Sequence, residues 1–475
     1  MKKIDRMRLE DIIKGSTASI VKGDPLCEIA SICSDSRKAA PGSLFIAVKG
    51  CAVDGHDFID SALEKGASAV ISADRQALAV CAANFYGNPS RKLTLVGITG
   101  TNGKTTTVTL LYRMFKALGH RCGLLSTIAN YVDDERSEAV NTTSDPITIN
   151  SLMAKMVEKG CSHCFMEVSS IGIEQERTAA LDFNVGIFSN LTHDHLDYHK
   201  SFAEYLRCKK LFFDRLPQDA WAIINMDDRN GRVMVQNCKA RVVSYSCKGV
   251  ADHKCRVLEQ SFDGMLLNID GKEIWVRLIG EHNAYNLLAI YTTAVVLGTE
   301  PSSALLALST LEAAPGRLEN LRGPRDISAI IDYAHTPDAL ENVLKTLKAI
   351  APSRELCCLF GCGGDRDRSK RPEMGAIAAK YADRIVLTSD NSRSENSADI
   401  IAEIKAGMSA EALGKCICIE DRKEAIRMAL MTARDGSTVL LAGKGHENYQ
   451  IIGNEKKHFD EKEIVLETFK WMDRN

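Results

Sequence analysis

The chain has 475 residues, with 60 Lys and Arg against 62 Asp and Glu and a formal net charge of −2. That balance supplies no field for a polyanion, so nucleic acid is not an expected partner. Hydrophobic residues at 45% and charged residues at 26% exclude a disordered, collagen-like or low-complexity chain, and no run of about 18 apolar residues offers a membrane span.

In chain order, the opening MKKIDRMRLEDIIK is basic but lacks an apolar core. It predicts no secretory signal and a cytoplasmic protein with reduced thiols. Residues 1–91 mix short elements: Leu44–Val48 predicts a strand and Ile59–Lys65 a short helix stopped by Gly66. Asn88–Lys92 is turn-rich and predicts a linker. Residues 92–322 open with the β-rich Leu93–Val96 and a glycine-rich loop. A helix is expected from Thr105, with Val108, Leu111, Met114, Phe115 and Leu118 on one face and Gly119 as its stop.

The single Cys-x-x-Cys, Cys161 to Cys164, adjoins Phe165 and Met166, and no second pair stands at zinc spacing. Core thiols are expected there, and likewise at Cys357, Cys358 and Cys362. In residues 323–475, strands predicted at 327–331, 355–360, 384–389, 415–419 and 437–442 alternate with helices such as Ala339–Ile350 and Ile400–Met408. That alternation predicts a mostly parallel, doubly wound sheet. The expected fold class is therefore α/β in three domains. A smaller N-terminal α/β domain (1–91) precedes a central P-loop ATPase-like domain (92–322) and a C-terminal Rossmann-like domain (323–475).

The segment Gly97-Ile98-Thr99-Gly100-Thr101-Asn102-Gly103-Lys104-Thr105-Thr106 joins the predicted strand to the predicted helix. Glycines let backbone N–H groups turn around phosphate oxygens, and the helix start adds its dipole. Lys104 would reach the terminal phosphates and the Thr105 hydroxyl would bind Mg²⁺. The strict phosphate-loop pattern is not met, because Ile98 stands where its first glycine belongs. Glu167, at the end of an apolar strand, is placed to supply a metal-binding carboxylate. Three His and two Asp within Asn190–His199 fit either a zinc site or one His serving Mg²⁺ and phosphate.

The chain resembles the Mur ligases, the ATP-dependent amide-forming enzymes of peptidoglycan precursor synthesis. The resemblance runs over essentially the whole length. It rests on Gly100–Thr105, Glu167–Ser170, Asn190–His199, Gly280–Asn286, Ala314–Arg317, Asp332–Pro337, Gly361–Arg368 and Gly443–Glu447, in that order. Within the family it is similar to the members that add the third amino acid to UDP-N-acetylmuramoyl-L-alanyl-D-glutamate. Asp390-Asn391-Ser392-Arg393 matches the D-N-P-R of those that use meso-diaminopimelate; those that use L-lysine lack the Arg. A guanidinium can grip the far carboxylate of diaminopimelate, and lysine has none. Two departures stand out: Ser392 replaces the usual Pro, which implies a less rigid loop, and Ile171 replaces a common His.

The resemblance implies acyl phosphate formation on the D-Glu γ-carboxylate by ATP, then attack by the amine. It implies Thr105 and Glu167 on a first Mg²⁺, His195 on a second, and a CO₂-derived carbamate on Lys209 as a further metal ligand. Read alone, Lys209 is a surface lysine beside Arg207 and Lys210; one register slip would select Lys210, but the Tyr205 anchor favours Lys209. ATP is implied at Gly100, Thr101, Asn102, Gly103, Lys104, Thr105, Thr106, Asn286, Arg317 and Asp332. The UDP-muramoyl dipeptide is implied at Ser34, Ser36, Thr142, Thr143, Ser169, Gln175 and Arg177. Diaminopimelate is implied at Arg366, Asp390, Asn391, Ser392, Arg393, Gly443 and Glu447. His193 falls where the family is not usually His, which disfavours zinc. A monomer acting on small molecules is expected, with no nucleic acid or membrane partner. The alternatives are an L-lysine-adding member and a folylpolyglutamate-synthase-like ligase.

Independently of the resemblance, Asp332, Arg366, Asp390–Arg393 and Gly443–Glu447 each follow the carboxyl end of a predicted strand, the edge where open α/β sheets bind ligands.

Overall fold

Alternation of side chains along extended segments organises each sheet. In a computed structural model, which describes residues 6–50, 53–192 and 196–474, the N-terminal strands are β1 (Ser19–Lys22), β2 (Ser31–Cys33), β3 (Ser43–Val48) and β4 (Ala69–Ala73). They pair in the order β1-β4-β3-β2. Leu44 and Ile46 of β3 face one apolar cluster with Ile12, Leu78 and Phe85, while Phe45 and Ala47 face another. Burial on both faces explains why β3 reads as a continuous apolar run. Asn88–Lys92 is less open than its composition suggests: Pro89–Lys92 is a 3-10 turn with Pro89 and Ser90 buried.

Next come β5 (Thr94–Thr99), β6 (Cys122–Leu125), β7 (His163–Glu167), β8 (Val185–Phe188) and β9 (Trp221–Asn225), all parallel, in the order β6-β7-β5-β8-β9. The helix after β5 runs Lys104–Ala117, one residue earlier than expected, and buries Val108, Leu111, Met114 and Phe115. Cys161 and Cys164 are buried, and burial raises both thiols.

An antiparallel meander of β10 (His253–Ser261), β11 (Gly264–Ile269) and β12 (Lys272–Val276) leads to a helix, Glu281–Val296. The last sheet contains β13 (Glu319–Arg322), β14 (Ser328–Asp332), β15 (Leu356–Phe360), β16 (Arg384–Leu387), β17 (Cys416–Cys418) and β18 (Thr438–Ala442). Their order is β13-β14-β18-β15-β16-β17, parallel except for β13. Ile330, Cys358 and Leu440 pack on one face with Leu344, Met374 and Ile404. Ile331, Cys357 and Leu441 pack on the other with Ile426, Val465 and Phe469. Helices thus cover both faces, as the alternating pattern predicts. A final hairpin pairs β19 (Tyr449–Ile452) with β20 (Glu455–His458).

Two helix boundaries differ from expectation because of their caps. The helix expected from Ala339 starts at Pro337, where the Thr336 side chain accepts from the Ala339 amide. The helix expected at Ile400–Met408 is Ser397–Lys405, capped by Asn396, with Gly407 beyond its end.

One buried ion pair ties the carboxyl ends of β16 and β18 together. Arg422 donates to Glu461 Oε1 at 2.8 Å, to the Ser389 carbonyl at 3.1 Å and to the Ala442 carbonyl at 2.8 Å. Arg422 and Glu461 are both 1% exposed, and removing one partner of such a pair costs about 3–5 kcal/mol.

The chain divides into two compact units. One comprises Met1–Gly100, Thr107–Asn190 and Ala203–Ser244, the other Thr101–Thr106, Leu191–Phe202 and Tyr245–Asn475. Among the described residues, no helix is long and apolar enough to cross a membrane.

Candidate active site

The glycine-rich segment is partly strand. Gly97 pairs with Met166 on one side and Gly186 on the other, so the loop proper begins at Gly100. A Cβ at Gly97 would meet the Phe212 ring at 2.9 Å, so this glycine serves packing. Gly103 has φ +87, and a Cβ there would run into the Asn286 amide. Thr101, Thr105 and Thr106 are buried, and Lys104 Nζ donates to the Thr101 carbonyl at 2.8 Å. The start of the helix at Lys104 leaves amides for an anion to accept from.

Several partners fix this loop within its own unit. Asn102 donates to Asp338 at 2.9 Å, and Thr101 exchanges hydrogen bonds with the Thr192 backbone. Arg317 Nη2 lies 3.3 Å from the Thr105 hydroxyl and its guanidinium sits 4.8 Å from the Tyr333 ring centre. Among the described residues, Arg317 Nε is buried without a partner, as is His446 Nδ1. Burial holds the His446 ring neutral, its pKa lowered to about 3, with Arg317 adding to the effect. Asp332 accepts the Leu318 and Ala334 amides at 2.7 and 2.8 Å. Its burial nevertheless raises its pKa, Arg317 and the two amides opposing. Asn286 donates to Asn283 at 3.0 Å. The sequence reading missed Asn283, Asp338, Thr192 and His446, although Asn283, Thr192 and His446 lie inside quoted motifs and Asp338 directly follows one.

Around Glu167, five of the expected dipeptide residues gather. Glu167 is 1% exposed at the end of β7. Its Oε1 accepts the Thr127 amide at 2.8 Å, while Oε2 is buried with no partner among the described residues. The Thr127 hydroxyl reaches that of Thr142 at 3.1 Å. Thr143 bridges the Glu167 carbonyl and the Ser169 amide, both at 2.9 Å. Arg177 donates to the Thr143 carbonyl at 2.6 Å and to Gln175 at 2.7 Å. Ser169 also caps the helix Ser170–Glu174. Ser34 and Ser36 follow β2, and among the described residues no hydrogen bond links them to this cluster.

Lys209 is 1% exposed and donates to the Gly100 carbonyl at 2.8 Å, with its Nζ 4.6 Å from the Tyr205 ring centre. Lys210 instead forms an i,i+4 ion pair with Asp214 at 2.6 Å. Of the two candidate lysines, Lys209 is the one at the glycine loop. His195, with His193, lies outside the described residues. Among the described residues no three His, Cys, Asp or Glu side chains form a ready metal site. The orphaned Glu167 Oε2 does fit a metal ligand.

At the carboxyl edge of the last sheet, Asp390, Asn391 and Glu447 surround the buried Lys444. Lys444 Nζ lies 3.2 Å from Asn391 Oδ1, 3.1 Å from Glu447 Oε2 and 3.6 Å from Asp390 Oδ1. Asn391 donates to Glu447 at 2.9 Å. Burial pushes Asp390 up, but Lys444 and Arg422 outweigh it and the pKa is lowered. A Cβ on Gly443 would approach Asp390 Oδ2 at 2.8 Å. Arg393 Nη1 donates to the Gly364 carbonyl at 2.7 Å, and its other side-chain nitrogens have no partner among the described residues. Arg366 is exposed on the neighbouring loop and bonds the Asp365 carbonyl at 3.1 Å. Ser392 is buried. Lys444 was inside a quoted motif but its central position was not legible.

Three segments match family models: residues 28–95 the Mur ligase family catalytic domain, 98–294 the Mur ligase middle domain, and 316–445 the Mur ligase glutamate ligase domain. The chain is 48% identical over 479 residues to the UDP-N-acetylmuramoyl-L-alanyl-D-glutamate--2,6-diaminopimelate ligase of Cytophaga hutchinsonii, covering 97% of this chain and 99% of that one. A solved structure of a ligase with that same title superposes with TM-score 0.70 at 31% identity, covering 99% and 100%. The Thermotoga maritima MurF ligase in complex with ADP shares the fold, with TM-score 0.66 at 19% identity, covering 94% and 98%.

Proposed function

The chain belongs to the Mur ligase family, and on that premise we propose that it joins meso-diaminopimelate to the D-Glu γ-carboxylate of UDP-N-acetylmuramoyl-L-Ala-D-Glu. ATP is the phosphoryl donor, and the reaction belongs to cytoplasmic peptidoglycan precursor synthesis. The observation that carries the amino-acid assignment is Arg393, which lies in one loop with Asp390 and Asn391 and has side-chain nitrogens without a partner among the described residues. A lysine-adding reading leaves that guanidinium without a far carboxylate to grip.

The γ-carboxylate oxygen attacks the γ-phosphorus of ATP, releasing ADP and leaving an acyl phosphate. The amine of diaminopimelate then adds to the acyl carbon. The tetrahedral intermediate collapses with loss of phosphate and a proton to give the amide. Two anions must approach each other, so Lys104 and the helix start at the glycine loop serve by neutralising charge. Thr105 and Glu167, with His195 and a carbamate on Lys209, are the residues to hold Mg²⁺, which when bound adds further charge neutralisation. A carbamate keeps one N–H, so the Lys209 bond to the Gly100 carbonyl is compatible with it. Thr142, Thr143, Ser169, Gln175 and Arg177, with Ser34 and Ser36, take the UDP-muramoyl dipeptide. Arg366, Asp390, Asn391, Ser392, Arg393, Gly443 and Glu447 take diaminopimelate. Domain limits at 91 and 322 and a monomeric state belong to the same proposal.

Lys209→Ala is expected to lower kcat about 100-fold, as for loss of a residue supporting a metal site. Protein incubated with isotope-labelled bicarbonate should show a carbamate resonance that Lys209→Ala lacks. A Lys209→Ala enzyme of unchanged kcat contradicts the role.

A further inference from the structure

The Asp390–Arg393 loop has Ser392 where its resemblance places Pro, which implied a looser loop. In the structure the hairpin of β19 and β20 binds that loop along its length. Gln450, 7% exposed, donates to the Ser389 hydroxyl at 2.9 Å and to the Asp390 carbonyl at 3.0 Å. The Ile451 amide donates to Asn391 Oδ1 at 2.9 Å. The Arg393 amide donates to the Ile451 carbonyl at 3.3 Å, and the Gly453 amide to the Arg393 carbonyl at 2.8 Å. Arg393 and Ile452 thereby form a parallel bridge.

Arg393 needs this. Its φ is +50, in the left-handed region, which a non-glycine residue keeps only where its surroundings impose it. A proline at 392 would stiffen the loop from within; here both peptide groups of Arg393 are held from outside. The hairpin itself is a surface ribbon of two strands, marginal by itself, so its bonds to the loop secure both.

We infer that the β19–β20 hairpin is the clamp that aims Arg393, and that Gln450 is a positioning residue for amino-acid selection. Gln450 has its two bonds to residues on the loop's approach, and through them it sets the backbone from which Arg393 and Asn391 project. The inference rests on the diaminopimelate reading.

Gln450→Leu is expected to raise KM for meso-diaminopimelate about tenfold, the loss expected for buried hydrogen bonds left unmade, with kcat and KM for ATP within about twofold. Equal changes in all three constants overturn the inference. Hydrogen exchange of the unsubstituted protein gives a reading without substrate. Slow exchange at the Arg393 and Gly453 amides supports the clamp, and exchange at the rate of an open loop overturns it. Failure of the unsubstituted enzyme to use diaminopimelate would overturn the amino-acid assignment alone, and the exchange result would still decide the clamp.

Discussion

Arg393→Ala raises the KM for meso-diaminopimelate about 30- to 100-fold, the range for losing a charge-assisted, bidentate grip on a carboxylate. KM for ATP and for the UDP-muramoyl dipeptide stays unchanged, since those substrates are assigned to other residues. L-Lysine, which offers no far carboxylate, gains relative to diaminopimelate, and the selectivity ratio collapses. Arg393→Lys recovers only part of the loss, because an ammonium is a point charge and not a fork. Arg393 holds φ +50, so Arg393→Gly is the control: it relieves the backbone yet removes the same side chain. Glycine and alanine variants with equal selectivity place the effect in the guanidinium. Steady-state kinetics with both amino acids checks this, and undiminished selectivity in either variant contradicts it.

Lys104→Ala lowers kcat about 1,000-fold, as expected for removing a preorganised charge where negative charge develops. Lys104 lies on the first turn of its helix and folds back to the Thr101 carbonyl at 2.8 Å, so its stem already follows the loop that would enclose phosphates. Lys104→Arg should recover only part of the loss, because a planar fork does not replace a compact ammonium. Tm within a few degrees of the unsubstituted protein, measured alongside kcat, separates lost chemistry from lost fold. A kcat within tenfold of the unsubstituted value contradicts the phosphate role.

The doubly wound C-terminal sheet was legible because both faces are covered. Strands buried on two sides read as unbroken apolar runs, as at Leu356–Phe360. The helix starts at Pro337 and Ser397 were two or three residues early of the apolar pattern because the caps Thr336 and Asn396 decide them. The glycine loop was legible from its Gly, Lys and Thr between strand and helix. The role of Gly97 was not, since only the pairing of β5 with β7 and β8 shows it inside a strand. Lys209 was told from Lys210 only by the Tyr205 anchor of the resemblance; its burial against a carbonyl 109 residues away was not legible. The clamp on Arg393 was likewise hidden, because Gln450 lies 60 residues beyond Asp390 and belongs to no quoted motif. Residues whose chemistry is their own were readable; residues that act by holding a distant backbone were not.

The most direct test is phosphate release by the purified protein with ATP, Mg²⁺ and UDP-N-acetylmuramoyl-L-Ala-D-Glu, run with meso-diaminopimelate, with L-lysine and with no amino acid. The account predicts release with diaminopimelate, and only background with lysine or without amino acid. Release with lysine in place of diaminopimelate would contradict the role of Arg393, and no release with either would contradict the ligase assignment itself.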